Sequence, residues 1–129
     1  MKQTSNLHVA LVDDHQIFRQ GLTEVLKHLG YIVTIEASNG KDLLEQLSRK
    51  PSPHICIIDI HMPELDGFET ARILRQNYPG IKILAFSTDN SDVSVSRMIA
   101  NGAHGFLEKG GSLDDISQSL ALILASTDA

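Results

Sequence analysis

Five short apolar runs recur along this chain, and between them the apolar residues change to helical spacing. The runs are HVALV (8–12), IVTIEA (32–37), HICIID (54–59), IKILAF (81–86) and GFLE (105–108). Strands that are apolar nearly throughout, rather than at every second position, are strands with both faces covered. One helical stripe is Phe18, Leu22, Val25 and Leu29, with Gly30 as its stop. A second is Leu43, Leu44 and Leu47, ended before Pro51 and Pro53. A third is Phe68, Ala71, Ile73, Leu74 and Tyr78, broken by Pro79-Gly80. The last runs through Leu113, Ile116, Leu120, Ile123 and Leu124, with Ser112 and Asp115 spaced to cap its start. Residues 92–100, DVSVSRMIA, lack the best helix formers, so this segment is expected to be the most mobile helix. Strand alternating with helix five times predicts an α/β fold, a doubly wound five-stranded parallel sheet.

A chain of 129 residues fits one domain and buries enough surface to need no disulfide or structural metal. Its formal net charge of -5, with lysines and arginines scattered, argues against direct nucleic-acid binding. No apolar run reaches the length of a membrane span, and the polar opening MKQTSN leads into no signal-peptide core. The lone Cys56 lies within an apolar run, which suits a small buried hydrophobe and a reducing, cytoplasmic setting. The first six residues and the tail STDA are expected to fray, leaving an ordered core of about 7–125.

The chemistry gathers where the strands end. The first strand terminates in Asp13 and Asp14, the third in Asp59 and the fourth in Ser87-Thr88, and the fifth leads to Lys109. In a parallel sheet all carboxyl ends share one edge, and open α/β sheets bind ligands in the crevice outside it. If strands one, three, four and five are neighbours, three carboxylates, a hydroxyl and an ammonium meet there. Three carboxylates against one lysine leave a surplus of about two negative charges, which a hard divalent cation with oxygen ligands neutralises. Magnesium fits such a half-filled site, because it commonly takes one or two carboxylates plus a substrate phosphate. With the cation and Lys109 in place, one carboxylate can attack phosphorus.

These residues carry a resemblance. The acidic pair in LVDDH, the aspartate in IIDIHMPELDG, the hydroxyl in AFSTD and the lysine in GAHGFLEK stand in order at successive strand ends. In this the chain resembles the receiver domain of two-component response regulators, over almost its whole length. VDDHQIFRQGL is similar to the subgroup whose receivers precede a NarL/LuxR-type helix-turn-helix. The resemblance implies a flavodoxin-like (βα)5 fold with strand order 2-1-3-4-5. It also implies a single receiver domain over residues 1–129, with no output domain in this chain.

Residue by residue, the resemblance makes Asp59 the acceptor of a phosphoryl group from a phosphohistidine on a histidine kinase or phosphotransfer protein. Asp14, Asp59 and the backbone carbonyl of His61 would hold Mg2+, with Asp13 acting through water. Lys109 would pair with the phosphate, Ser87 would bind a phosphate oxygen after moving inward, and Phe106 would change rotamer with it. The surface of the fourth helix, fifth strand and fifth helix would then shift and control an output such as transcription. Homodimers would form through that surface or through the first and fifth helices. Such a domain is no enzyme beyond its own phosphorylation and dephosphorylation. The chain departs from the family pattern in three places: Gly110-Gly111 follows Lys109 where proline is common, Ser87 replaces the commoner threonine, and the sequence stops at Ala129.

Other readings of the same residues remain open. Asp14 could merely cap a helix starting near Gln16. Ser87 could be a turn residue, and Phe106 plain core. His15, His61 and His104 show no ligand spacing and read as side chains apart from any metal. His61 and Asp89, near the acceptor by family position, would tune the lifetime of the phosphate. HMPELDG reads as a turn built on Pro63, Asp66 and Gly67. The alternatives in function are a magnesium-dependent phosphatase with an aspartate nucleophile, and a stand-alone receiver acting by protein contacts. The first lacks its usual second aspartate, because His61 occupies that position.

Overall fold

The computed structural model describes residues 7–125, so the segments expected to fray, 1–6 and 126–129, lie outside the described residues. In chain order the elements are β1 (His8–Val12), α1 (Gln16–His28), β2 (Ile32–Ala37), α2 (Gly40–Leu47), β3 (Ile55–Ile58) and α3 (Gly67–Asn77). They continue with β4 (Lys82–Ser87), α4 (Asp92–Ala100), β5 (Gly105–Glu108) and α5 (Leu113–Ala125). The strands form one parallel sheet in the order β2-β1-β3-β4-β5.

The continuous apolar runs now have their physical reason. In β1, β3 and β4, Ala10, Val12, Cys56, Ile58, Ile83 and Ala85 enter one core, with α2, α3 and α4 supplying Leu43, Phe68, Leu74 and Met98. Their sequence neighbours Val9, Leu11, Ile55, Ile57, Leu84 and Phe86 enter the other, against Leu22 and Leu26 of α1 and Ile116 and Leu120 of α5. Strand side chains alternate faces, so a strand apolar at every position demands a cover on both sides. Each large aliphatic side chain fully buried in these layers contributes roughly 1.5–3 kcal/mol. Cys56 is one of these core residues, and burial pushes its thiol up to about 12.

Helix ends follow local chemistry. Ser112 and Asp115 form a reciprocal capping box: Asp115 N–H donates to Ser112 Oγ at 3.1 Å and Ser112 N–H to Asp115 Oδ2 at 3.2 Å. Asp66, read as a turn residue, is also the N-cap of α3, its Oδ1 accepting from Glu69 N–H. The capping role considered for Asp14 is not what the fold uses. The N-cap of α1 is His15, with no side-chain capping bond, and it is Asp13 Oδ1 that receives the His15 N–H.

Candidate functional site

The parallel register builds the site. Val12 is opposite Ile58, Ile58 opposite Ala85, and Ala85 opposite Phe106, so the residues following these strands converge on one edge. Asp59 lies one residue past β3 and stays in line through its N–H to Val12 O at 2.9 Å. Lys109 N–H donates to Ser87 O at 3.0 Å and extends the β4–β5 pairing by one step. Gly67 is required here: a Cβ on it would stand 2.4 Å from the Asp59 carbonyl oxygen, because α3 starts against this strand end. Gly110, at φ +90, turns the chain directly after Lys109 in a conformation L side chains rarely adopt.

At the centre is the Lys109 ammonium, 2.8 Å from Asp13 Oδ2 and 3.3 Å from Asp59 Oδ2, with all three side chains buried. The Phe18 ring lies 4.4 Å from the same ammonium and 5.4 Å from Phe86, so the cation sits on an aromatic floor. Asp14 is exposed at the mouth. Burial raises the Asp59 carboxyl above its ordinary value and the charge of Asp13 adds to this, while Lys109 draws it down. A buried carboxylate pair sharing a single lysine is an arrangement that gains from further positive charge.

His15 differs from its sequence reading. Without ligand spacing it had no place in a metal set, yet its Nδ1 lies 3.3 Å from Asp13 Oδ1, 3.6 Å from Asp14 Oδ1 and 4.0 Å from Asp59 Oδ2. Asp13, Asp14, His15 and Asp59 each offer one ligand atom, all within 4.8 Å of one another. The signal was adjacency to the acidic pair, not a spacing between histidines. The carboxylates are the hard oxygen donors that Mg2+ favours, and the acidic cluster is compatible with that ion.

Ser87 is buried at the end of β4, and its Oγ accepts the Asp89 N–H at 3.1 Å. Phe106 is half-buried against the α2–α4 core and lines a groove of about 180 Å³ with His104, Ser119 and Leu122. His61 and Asp89 meet directly, Nε2 to Oδ2 at 2.7 Å. Hydrogen bonds from His61, then Ser94 and Ser91, hold the Asp89 carboxyl well below the usual carboxylate range. Beside Lys109, a wider groove of about 430 Å³ opens between α1 and Gly110-Gly111, with Ile17 and Phe18 on one wall and Ile116 on the other.

A family model described as the response regulator receiver domain matches residues 9–121. The chain belongs to the response regulator receiver family. Response regulator GacA of Pseudomonas protegens is 32% identical over 120 residues, covering 92% of this chain and 56% of that protein. The nitrate/nitrite response regulator protein NarL of Escherichia coli is 31% identical over 113 residues, covering 87% and 52%. A two-component response regulator of the LuxR family from an Aurantimonas species superposes with a TM-score of 0.85 at 28% identity, covering 92% of this receiver and 84% of that chain. The resemblance to NarL/LuxR-type receivers and the flavodoxin-like order 2-1-3-4-5 both hold. This receiver spans about half the length of the curated relatives it matches. No helix among the described residues is long and apolar enough to cross a membrane.

Proposed function

We propose that this receiver takes a phosphoryl group onto Asp59 from a phosphohistidine of a histidine kinase or phosphotransfer protein. The observation that carries the reading is the Lys109 ammonium between Asp13 and Asp59 at the carboxyl edge, with Asp14 alongside. An Asp59 carboxylate oxygen forms the bond to phosphorus as the bond from phosphorus to the donor imidazole nitrogen breaks. The imidazole leaves with the electron pair. Lys109, already aimed at Asp59, remains to meet a phosphoryl oxygen.

The donor set fits Mg2+, which when bound supplies the positive charge that offsets the phosphoryl oxygens. Asp14 and Asp59, with the His61 carbonyl, are its direct ligands in this reading. Asp13 acts through water, consistent with its carboxylate already holding Lys109 and the His15 N–H. Ser87 turns from the Asp89 N–H to a phosphoryl oxygen, and Phe106, only half-buried, follows. The groove beside α1 gives the donor protein an apolar footing next to the site. Output runs through the surface of α4, β5 and α5 to transcription, as the names of relatives such as the transcriptional regulatory protein DegU of Brevibacillus brevis suggest. Exposed Val93, Ile99 and Leu122 there, or Ile17 and Leu113 on the α1 and α5 side, offer apolar surface for a homodimer.

Incubation with magnesium and a small phosphodonor, followed by intact mass, tests the reading. One phosphoryl adduct is expected on the wild type and none on Asp59→Ala. An unmodified wild type, or an equal adduct on the variant, sinks it. Sustained turnover of a phosphate ester would favour the phosphatase instead.

A further inference from the structure

Asp89 lies in the loop between β4 and α4, two residues beyond Ser87, and it joins three parts of the molecule. Its Oδ2 receives hydrogen bonds from His61 Nε2 at 2.7 Å and Ser94 Oγ at 2.6 Å. Its Oδ1 accepts the Ser91 N–H at 3.2 Å, and its own N–H donates to Ser87 Oγ at 3.1 Å. His61 stands on the loop that follows Asp59, Ser91 and Ser94 are the cap and first turn of α4, and Ser87 ends β4. One side chain therefore ties the start of α4 to the loop carrying the acceptor, and its backbone engages the hydroxyl at the strand end.

A second tether reaches the same helix. The Arg97 guanidinium lies 4.0 Å from the centre of the Phe68 ring, and His61 meets that ring edge-on at 6.2 Å. Both anchors thus belong to the segment after Asp59. They matter because α4 buries little apolar side chain of its own. It has nine residues, several of low helix propensity, and of its apolar side chains only Met98 is fully buried. Helices held by few buried contacts open locally far below the cost of global unfolding.

We infer that Asp89 is a positioning residue, a clasp that moors α4 to the acceptor loop and passes the state of Ser87 on to that helix. The clasp exists in the unphosphorylated protein; its trigger rests on the phosphoryl reading of Asp59. When Ser87 turns toward a phosphoryl oxygen, the Asp89 N–H loses its acceptor, and the bonds to His61, Ser91 and Ser94 must rearrange together. The exposed face of α4 then changes without any contact between α4 and the phosphate.

Amide hydrogen exchange, with and without beryllofluoride and magnesium as a phosphoryl mimic, tests this. In the unloaded protein Asp89→Ala should speed exchange across α4 about tenfold or more, as expected for losing charge-assisted hydrogen bonds. Exchange in α2 should not change. Ser94→Ala, which removes one hydroxyl, should do the same to a smaller extent and covers the case where Asp89→Ala folds poorly. Loading the wild type should alter exchange in α4. Loading Asp89→Ala should leave α4 as it was, although fluorine NMR still shows bound beryllofluoride. Unchanged α4 exchange in both unloaded variants overturns the clasp. A wild-type-sized response to loading in Asp89→Ala overturns the coupling. A wild type that binds no beryllofluoride counts against the phosphoryl reading and the trigger, while the unloaded comparison still decides the mooring.

Discussion

Two ionic clusters stand at the carboxyl edge of the sheet, and they are held in different ways. Lys109 meets Asp13 and Asp59 with side chains 8%, 9% and 5% exposed. His61 meets Asp89 with side chains 61% and 30% exposed. Charges taken out of water interact strongly, but each also loses its hydration, so the buried set is finely balanced and intolerant of losing its one cation. The solvated pair gains little from its charge and is screened by salt. What the exposed pair has instead is connectivity, through Ser91, Ser94 and Ser87. The buried cluster is suited to chemistry on a charged group, and the exposed one to moving a helix.

The largest effect should come from removing the buried cation. Lys109→Ala leaves Asp13 and Asp59 facing each other away from water. Breaking a buried charge set in this way costs about 3–5 kcal/mol. Urea denaturation without divalent ions should show that loss, and added magnesium should recover part of it by standing in for the missing charge. If Lys109→Ala unfolds at the wild-type urea concentration, the contrast between the two clusters is wrong at its root.

A smaller effect follows from Asp59 itself. Burial raises its native carboxyl value, so the folded metal-free protein holds that proton more tightly than the unfolded chain does. The stability this contributes is complete below the ordinary aspartate range. It is lost as pH rises through the raised native value, and above that the charged group opposes folding. Asp59→Asn should therefore melt at a higher temperature than the wild type at neutral pH in a chelator. The gap should close as pH falls below the ordinary aspartate range. A gap that is independent of pH would show that burial of the charge is not the cause.

The difference between the clusters also marks what could be read in the sequence. Parallel strands buried on both faces leave unbroken apolar runs, so a sheet covered on both sides was legible from the five runs and the helical stripes between them. The strand order came from the family resemblance. Asp13, Asp59 and Lys109 were legible because a parallel sheet sends every strand end to one edge, which is a consequence of topology and needs no side-chain detail. Phe18 read only as a helix stripe, although its ring also floors Lys109. The His15 ring and the Asp89 clasp depend on how two loops fold back, and loop conformation has no period for a sequence to display. Ser91 as the cap of α4 sat in plain view, but its tie to Asp89 crosses from one loop to the next helix.

The smallest global effect should come from His61→Ala, and its smallness is informative. The pair it breaks is solvated, so the melting temperature should fall only slightly, and the difference should shrink further as salt is raised. The same variant should nonetheless speed amide exchange in α4, because opening that helix exposes little core and so does not need the whole domain to unfold. The two measurements separate two roles for the pair. If His61→Ala lowers the melting temperature as much as Lys109→Ala and leaves α4 exchange untouched, His61 supports the core. If it moves α4 and little else, the residue two places after Asp59 holds that helix.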